Sequence, residues 1–158
     1  MSRATPATQA LTRAGIAFRP LSYDYDPAAD RIGIAAAEAV GVPAAQLLKT
    51  LMVEVDGRPA CAVIPADRSL SMKRVAAAFG GKSAQMMAPA KAEKLTGFHT
   101  GGISPFGQRR PCPTAIEAAT MTLPEVVING GQRGLLLALA PQDALRGANA
   151  LPAPLCAD

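Results

Sequence analysis

Apolar residues fall along this chain in short runs broken by glycine and proline. LMVEV (51–55) and ACAVI (60–64) are separated by a stretch holding Asp56-Gly57, the strongest short-range hairpin signal. EVVIN (125–129) and GLLLALA (134–140) flank GGQR and predict a second hairpin. IAFRPLSY (16–23) reads as a strand whose proline favours a sheet edge, and SAQMMA (83–88) as a short strand. Helices are predicted where caps frame the apolar positions. Thr5 with Pro6 opens one over 6–14, stopped by Gly15. Residues 32–41 form a second, closed by Gly41. Ser71 caps a third that ends at Gly80-Gly81. Pro89 opens a fourth over 89–97, and 141–148 form a fifth. DYDPAAD (24–30) is turn-rich, TGFHTGGISPFGQRR (96–110) reads as a long loop, and the proline-containing tail from Asn149 as loosely ordered. Hairpins, where a βαβ alternation would need crossovers, place the chain in the α+β class. The expected architecture is a mixed, mostly antiparallel, barrel-like sheet surrounded by short helices.

Composition sharpens this. The chain has 158 residues, a length that suits one domain over 1–158 and allows roughly 70% of the unfolded surface to be buried. Hydrophobic residues are 49% and charged residues 18%, which excludes a disordered chain. Aromatics are 4% with no Trp, so the core must be aliphatic. No apolar run approaches the ~20 residues of a membrane span. The first fifteen residues lack the apolar core of a secretion signal, so a cytoplasmic protein without membrane contact is expected. The net charge of +4 permits a nucleic-acid partner without demanding one.

The usual catalytic constellations are missing. There is no GxxxxGK[ST], GxGxxG, HExxH or GxSxG. Cys61, Cys112 and Cys156 are widely spaced with no CxxC, and His99 is the one histidine, so neither a disulfide framework nor a metal site is expected. A Cys–His nucleophile would require Cys61 or Cys112 to meet His99 in space. Lys49, in LLKTL, stands where the chain enters an apolar strand. Partial burial would make it a cation for an anionic or carbonyl oxygen; otherwise it is a solvated strand end. Gly101-Gly102 can adopt positive φ and present N–H groups to an oxygen, or can form a structural turn. The basic residues Lys73, Arg74, Lys91, Lys94, Arg109 and Arg110 suit either a phosphate-contacting face or a solvated surface.

Three segments taken in order, LLKTL (47–51), TGFHTGGISPFGQRR (96–110) and NGGQRG (129–134), resemble the YbaK-type aminoacyl-tRNA deacylases. That family is related to the editing domain inserted in bacterial prolyl-tRNA synthetases. The resemblance runs from about Thr5 to Gly147. It implies trans-editing: removal of a wrong small amino acid from tRNA, typically tRNA(Pro), with tRNA(Cys) as an alternative and prolyl-tRNA synthetase as a candidate partner. It implies no cofactor. Lys49, Gly101 and Gly102 match its functional lysine and glycine loop, and Tyr23 its pocket tyrosine. Ile32, Thr50, Ile103, Ser104, Pro105, Asn129 and Gly131 complete the expected substrate-binding set. The cysteine-specific members are expected to carry phenylalanine, serine and aspartate where this chain has Ile32, Asn129 and Leu136. The resemblance also implies that the substrate's thiol, or a water, attacks the ester with no protein nucleophile.

Overall fold

The computed structural model describes residues 4–29 and 31–158. Asp30, the last residue of the expected turn-rich loop, lies outside them. Among the described residues, five helices and eight strands alternate in an order that mixes hairpins with crossovers. They run α1 (Pro6–Arg13), β1 (Arg19–Ser22), α2 (Ile32–Val40), β2 (Leu47–Val55), β3 (Arg58–Pro65), α3 (Met72–Ala78), β4 (Ala84–Met86) and α4 (Pro89–Thr96). After them come β5 (Thr114–Glu117), a 3₁₀ turn (Ala118–Thr122), β6 (Val126–Asn129), β7 (Leu135–Leu139), α5 (Pro141–Ala148) and β8 (Leu151–Ala153).

Local chemistry sets most boundaries as expected. Thr5 closes a capping box with Thr8 at the start of α1. Ser71 accepts the Arg74 N–H at the start of α3. Gly41 and Gly97 end α2 and α4 in the left-handed conformation. Asp56 and Gly57 both have positive φ, the requirement of a two-residue type I′ hairpin.

The sheet runs β1-β7-β6-β2-β3-β5-β8, with β4 also paired to β2. Both hairpins are antiparallel, while β2–β6, β3–β5 and β5–β8 are parallel. The two strands that end this path, β1 and β8, each carry a proline, as edge strands tolerate. Both faces are covered. Leu48, Met52, Val63, Ile128 and Leu137 pack with Leu11 of α1 and Ala144 of α5. The alternate positions Val53, Val55, Ala62 and Ile64 pack on Val75 of α3, and Leu47, Val127 and Leu136 on Ala36 of α2. Burial on both faces explains why β7 reads LLLAL without alternation.

Three expectations are corrected. The strand predicted over 16–23 shrinks to β1. Residues 98–110 form the expected long loop, but β5 beyond it falls where no element is predicted. The tail is ordered: β8 pairs with β5, and Leu155 and Cys156 are buried. A buried carboxylate does this work. Glu117 accepts the Leu155 and Cys156 N–H groups at 2.9 and 3.0 Å and the Ala119 N–H at 3.0 Å.

One interruption positions the site. On its outer edge, β2 pairs with β6 only at Leu47 and Leu48, and with β4 only over Val53–Val55. The stretch between, residues 49–52, has no ladder partner on that edge. Gln46 O accepts from Val127 N and Met52 O from Met87 N, whereas Leu47 O accepts from Ala66 beyond β3. Even-numbered peptide groups therefore face the outer edge, and those of Thr50 face the gap.

Candidate active site

A cavity of about 320 Å³ opens at this gap. Leu48, Met52, Met86, Met87, Ala36 and Leu136 make most of its wall apolar. Lys49, Thr50, Tyr23, Gly101 and Asn129 supply polar groups, and Ile32 and Ile103 also line it. No cysteine, histidine, serine or carboxylate among the described residues does.

Lys49 is half-buried, and its ammonium makes no hydrogen bond or ion pair among the described residues. Burial, and secondarily the Arg31 guanidinium, pull its pKa below the ordinary lysine value. Thr50 Oγ1 is buried with no hydrogen-bond partner among the described residues, an unmet requirement that an occupant of the cavity would satisfy. Burial also pushes the Tyr23 phenol above its usual range.

The glycine loop is rigid at both ends. Arg109 N–H donates to Thr96 O and Arg110 N–H to Leu95 O, while Phe98 and Phe106 anchor it in the core. At its tip Gly102 N–H donates to His99 O at 2.8 Å, and Gly101 has φ +89. That positive φ is the type II turn requirement for glycine. A Cβ on Gly101 would come within 2.6 Å of the Tyr25 hydroxyl, and one on Gly102 within 2.8 Å of Arg133 N. Asn129 fixes the facing loop. Its Oδ1 accepts the Gly131 N–H at 2.7 Å and the Gln132 N–H at 3.2 Å, and its Nδ2 reaches Gly101 O at 3.4 Å.

Seven of the expected site residues thus converge: Lys49, Thr50, Tyr23, Ile32, Gly101, Ile103 and Asn129. Four do not line the cavity. The Gly102 N–H is spent inside the turn, so it does not point at an oxyanion. Ser104 is fully buried, its Oγ accepting the Phe106 N–H and its carbonyl the Gln108 amide. Pro105 is buried beside it. Gly131 turns where a Cβ would strike Phe98. The Cys–His alternative does not form. His99 is exposed, and its ring stands 3.9 Å from Glu93. Burial raises the Cys61 thiol to about 12 and Cys112 to about 11, so neither is a thiolate near neutrality.

Met86 and Met87 are wall residues that the sequence reading missed. Their signal was the MM pair in an otherwise weak strand, adaptable side chains of the kind that fill irregular apolar gaps.

Fold and pocket together define a class: an α+β domain with a mainly apolar cavity over a broken sheet edge, edged by one lysine and backbone groups. Residues 26–146 match the family model described as the aminoacyl-tRNA editing domain, and the chain belongs to that family. EbsC of Enterococcus faecalis, a candidate Cys-tRNA(Pro)/Cys-tRNA(Cys) deacylase, is 33% identical over 111 residues, 69% of this chain and 67% of that protein. A proline–tRNA ligase of Nitratidesulfovibrio vulgaris is 35% identical over 68 residues, 43% of this chain and only 12% of the ligase. The crystal structure of a candidate trans-editing enzyme for prolyl tRNA synthetase matches with a TM-score of 0.83 and 25% identity, over 100% of this chain and 99% of that one. Among the described residues no helix is long and apolar enough to cross a membrane.

Proposed function

We propose that this chain is a trans-editing aminoacyl-tRNA deacylase, acting as one unit over 1–158, that removes a mischarged small amino acid from tRNA(Pro). Cysteine is the first choice of residue removed, then alanine, serine and threonine. The observation that carries this reading is the convergence of Lys49, Thr50 and Gly101 on a cavity whose wall, among the described residues, holds no cysteine, histidine, serine or carboxylate. An aminoacyl ester is already activated, so such a site can work by positioning alone.

The side chain of the amino acid enters among Leu136, Ile32 and the methionines. This apolar wall favours a thiol or methyl over a hydroxyl. The Thr50 peptide and hydroxyl hold the aminoacyl backbone at the open edge of β2. Gly101 N–H and the Lys49 ammonium lie toward the ester carbonyl, where they stabilise the developing oxyanion. With a cysteinyl ester the substrate's sulfur attacks the carbonyl carbon and the ester C–O bond breaks. The ribose oxygen leaves with a proton, and a thiolactone remains. With the other esters a water attacks and the free amino acid is released. Docking on prolyl-tRNA synthetase would bring the substrate to a protein of modest net charge.

The test is a deacylation panel with Cys-, Ala-, Ser- and Thr-charged tRNA(Pro), for wild type and Lys49→Ala. Losing one oxyanion-stabilising group lowers turnover about 10²–10³-fold while the fold is kept. Unchanged turnover in Lys49→Ala would remove the lysine from the mechanism. Binding of charged tRNA without any accelerated deacylation would assign the chain as a binding module instead.

A further inference from the structure

Exposed Arg133 does not line the cavity, but it is held in a fixed position against Thr100, which does. Its Nε donates to Thr100 O at 2.8 Å, and its guanidinium carbon lies 5.1 Å from the centre of the Tyr25 ring. Its backbone N is the atom that a Cβ on Gly102 would strike. The Tyr25 hydroxyl in turn occupies the space denied to a Cβ on Gly101, and Gly134 lies close against Tyr23 O. Three loops, those of Tyr23–Tyr25, Thr100–Gly102 and Gln132–Gly134, therefore interlock around one guanidinium. Glu93, the carboxylate of this corner, accepts the Thr100 N–H at 2.7 Å and forms no ion pair with Arg133. The Nη1 and Nη2 groups make no hydrogen bond or ion pair among the described residues, although the guanidinium is near enough to help lower the Glu93 pKa.

An arginine oriented by its Nε and its stacking, with both terminal nitrogens open, is preorganised for a bidentate anion. The anion nearest the ester is set by the chemistry of the substrate. An amino acid esterified to a terminal ribose has, one sugar ring away, that nucleoside's 5′-phosphate. With the ester carbonyl at Gly101, the neighbouring rim residues are Thr100, Tyr25 and Arg133. We propose that Arg133, held by Tyr25 and Thr100, is the docking point for the phosphate of the 3′-terminal nucleotide of the RNA. This rests on the deacylase reading of the cavity, and it makes Arg133 a positioning residue that sets the ester's depth. It differs from a generic basic surface because it specifies one phosphate and one fork.

The experiment uses the full chain and uncharged tRNA(Pro), so that it reads binding independently of turnover. Affinity is measured against salt for wild type, Arg133→Gln and Arg133→Lys, with adenosine and 5′-AMP as competitors. The expected result is roughly tenfold weaker tRNA binding in Arg133→Gln, with the salt slope reduced by about 0.7 for one lost single-strand phosphate contact. AMP competes better than adenosine on wild type, and that preference vanishes in Arg133→Gln. Arg133→Lys restores the salt slope but only part of the AMP preference, because it keeps the charge and loses the fork. A purely structural staple would weaken both competitors alike. An unchanged slope and AMP preference in a folded Arg133→Gln variant overturns the proposal, as does wild-type binding that ignores the phosphate. If Arg133 dependence holds but no charged tRNA is deacylated, the deacylase reading fails and the phosphate site stands. If deacylation holds without Arg133 dependence, the reverse is true.

Discussion

Lys49 shows how far one residue's environment can be argued. Its pKa is lowered chiefly by burial, then by Arg31, so the folded protein disfavours the ammonium. The unfolded chain then holds its proton to higher pH, and this group's contribution to stability rises as pH rises through the folded value. The catalytic contribution runs the other way, because the stabilising species is the ammonium. We expect the enzymatic rate, after subtraction of spontaneous ester hydrolysis, to fall with rising pH at a value below that of an exposed lysine. In Lys49→Arg this limb should move beyond the accessible range, since a guanidinium does not deprotonate there. A pH–rate profile identical in Lys49→Arg and wild type would contradict the assignment. That Lys49 would line a pocket was legible from LLKTL only as one of two readings. What decided it, the gap between β6 and β4 on the outer edge of β2, is a matter of register between strands some 30 to 80 positions apart in the chain. The glycine loop was half legible. GG announced a turn with positive φ, but that only Gly101 faces the cavity, while the Gly102 N–H closes the turn, depends on contacts with the Tyr25 side chain and the Arg133 backbone that no local pattern encodes.

Elements with strong local chemistry were readable, and those held by distant partners were not. The Thr5 box, the Ser71 cap and the Asp56-Gly57 turn each act within a few residues. β5 and β8 are short, flanked or filled by proline, and paired in parallel with strands far along the chain. Nothing within a short window distinguishes them from loop. Glu117 is what converts the tail into an element. Burial works to raise its pKa, but the N–H donors of Leu155, Ala119 and Cys156 and the Cys156 thiol together outweigh burial and lower it. A depressed carboxylate contributes stability above its unfolded value of about 4.3, which is lost as pH falls through the folded value. Glu117→Ala leaves these buried donors unmet and should cost about 3 kcal/mol at neutral pH. Glu117→Gln keeps an acceptor and should cost less. In both variants the difference from wild type should shrink toward acid pH in urea melts. A constant difference down to pH 3 would mean that the carboxylate charge contributes nothing to the clamp.

At the scale of the whole molecule, the cavity is an apolar void kept open in an otherwise close-packed sheet, which interiors ordinarily avoid. The fold keeps it by letting β2 change partners midway, with α2, Met86 of β4 and the following Met87 lining the interruption. Such a site trades stability for function, so filling it should separate the two. Ala36 is buried on α2 and lines the cavity beside Leu136. Ala36→Leu adds three carbons of apolar surface, worth up to about 2 kcal/mol if they settle without strain. In a chain of this length that corresponds to a Tm several degrees higher, at roughly 2–4 °C per kcal/mol. Deacylation should fall at the same time, most for the largest acceptable amino acid and least for alanine. Binding of uncharged tRNA at the Arg133 rim should be retained, because the rim lies outside the filled volume. Parallel thermal melts, panel kinetics and tRNA titrations on this single variant check all three. If turnover and its order across the panel were unchanged in a folded Ala36→Leu protein, the amino acid would have to sit elsewhere, and the break in the sheet edge would lose its functional meaning.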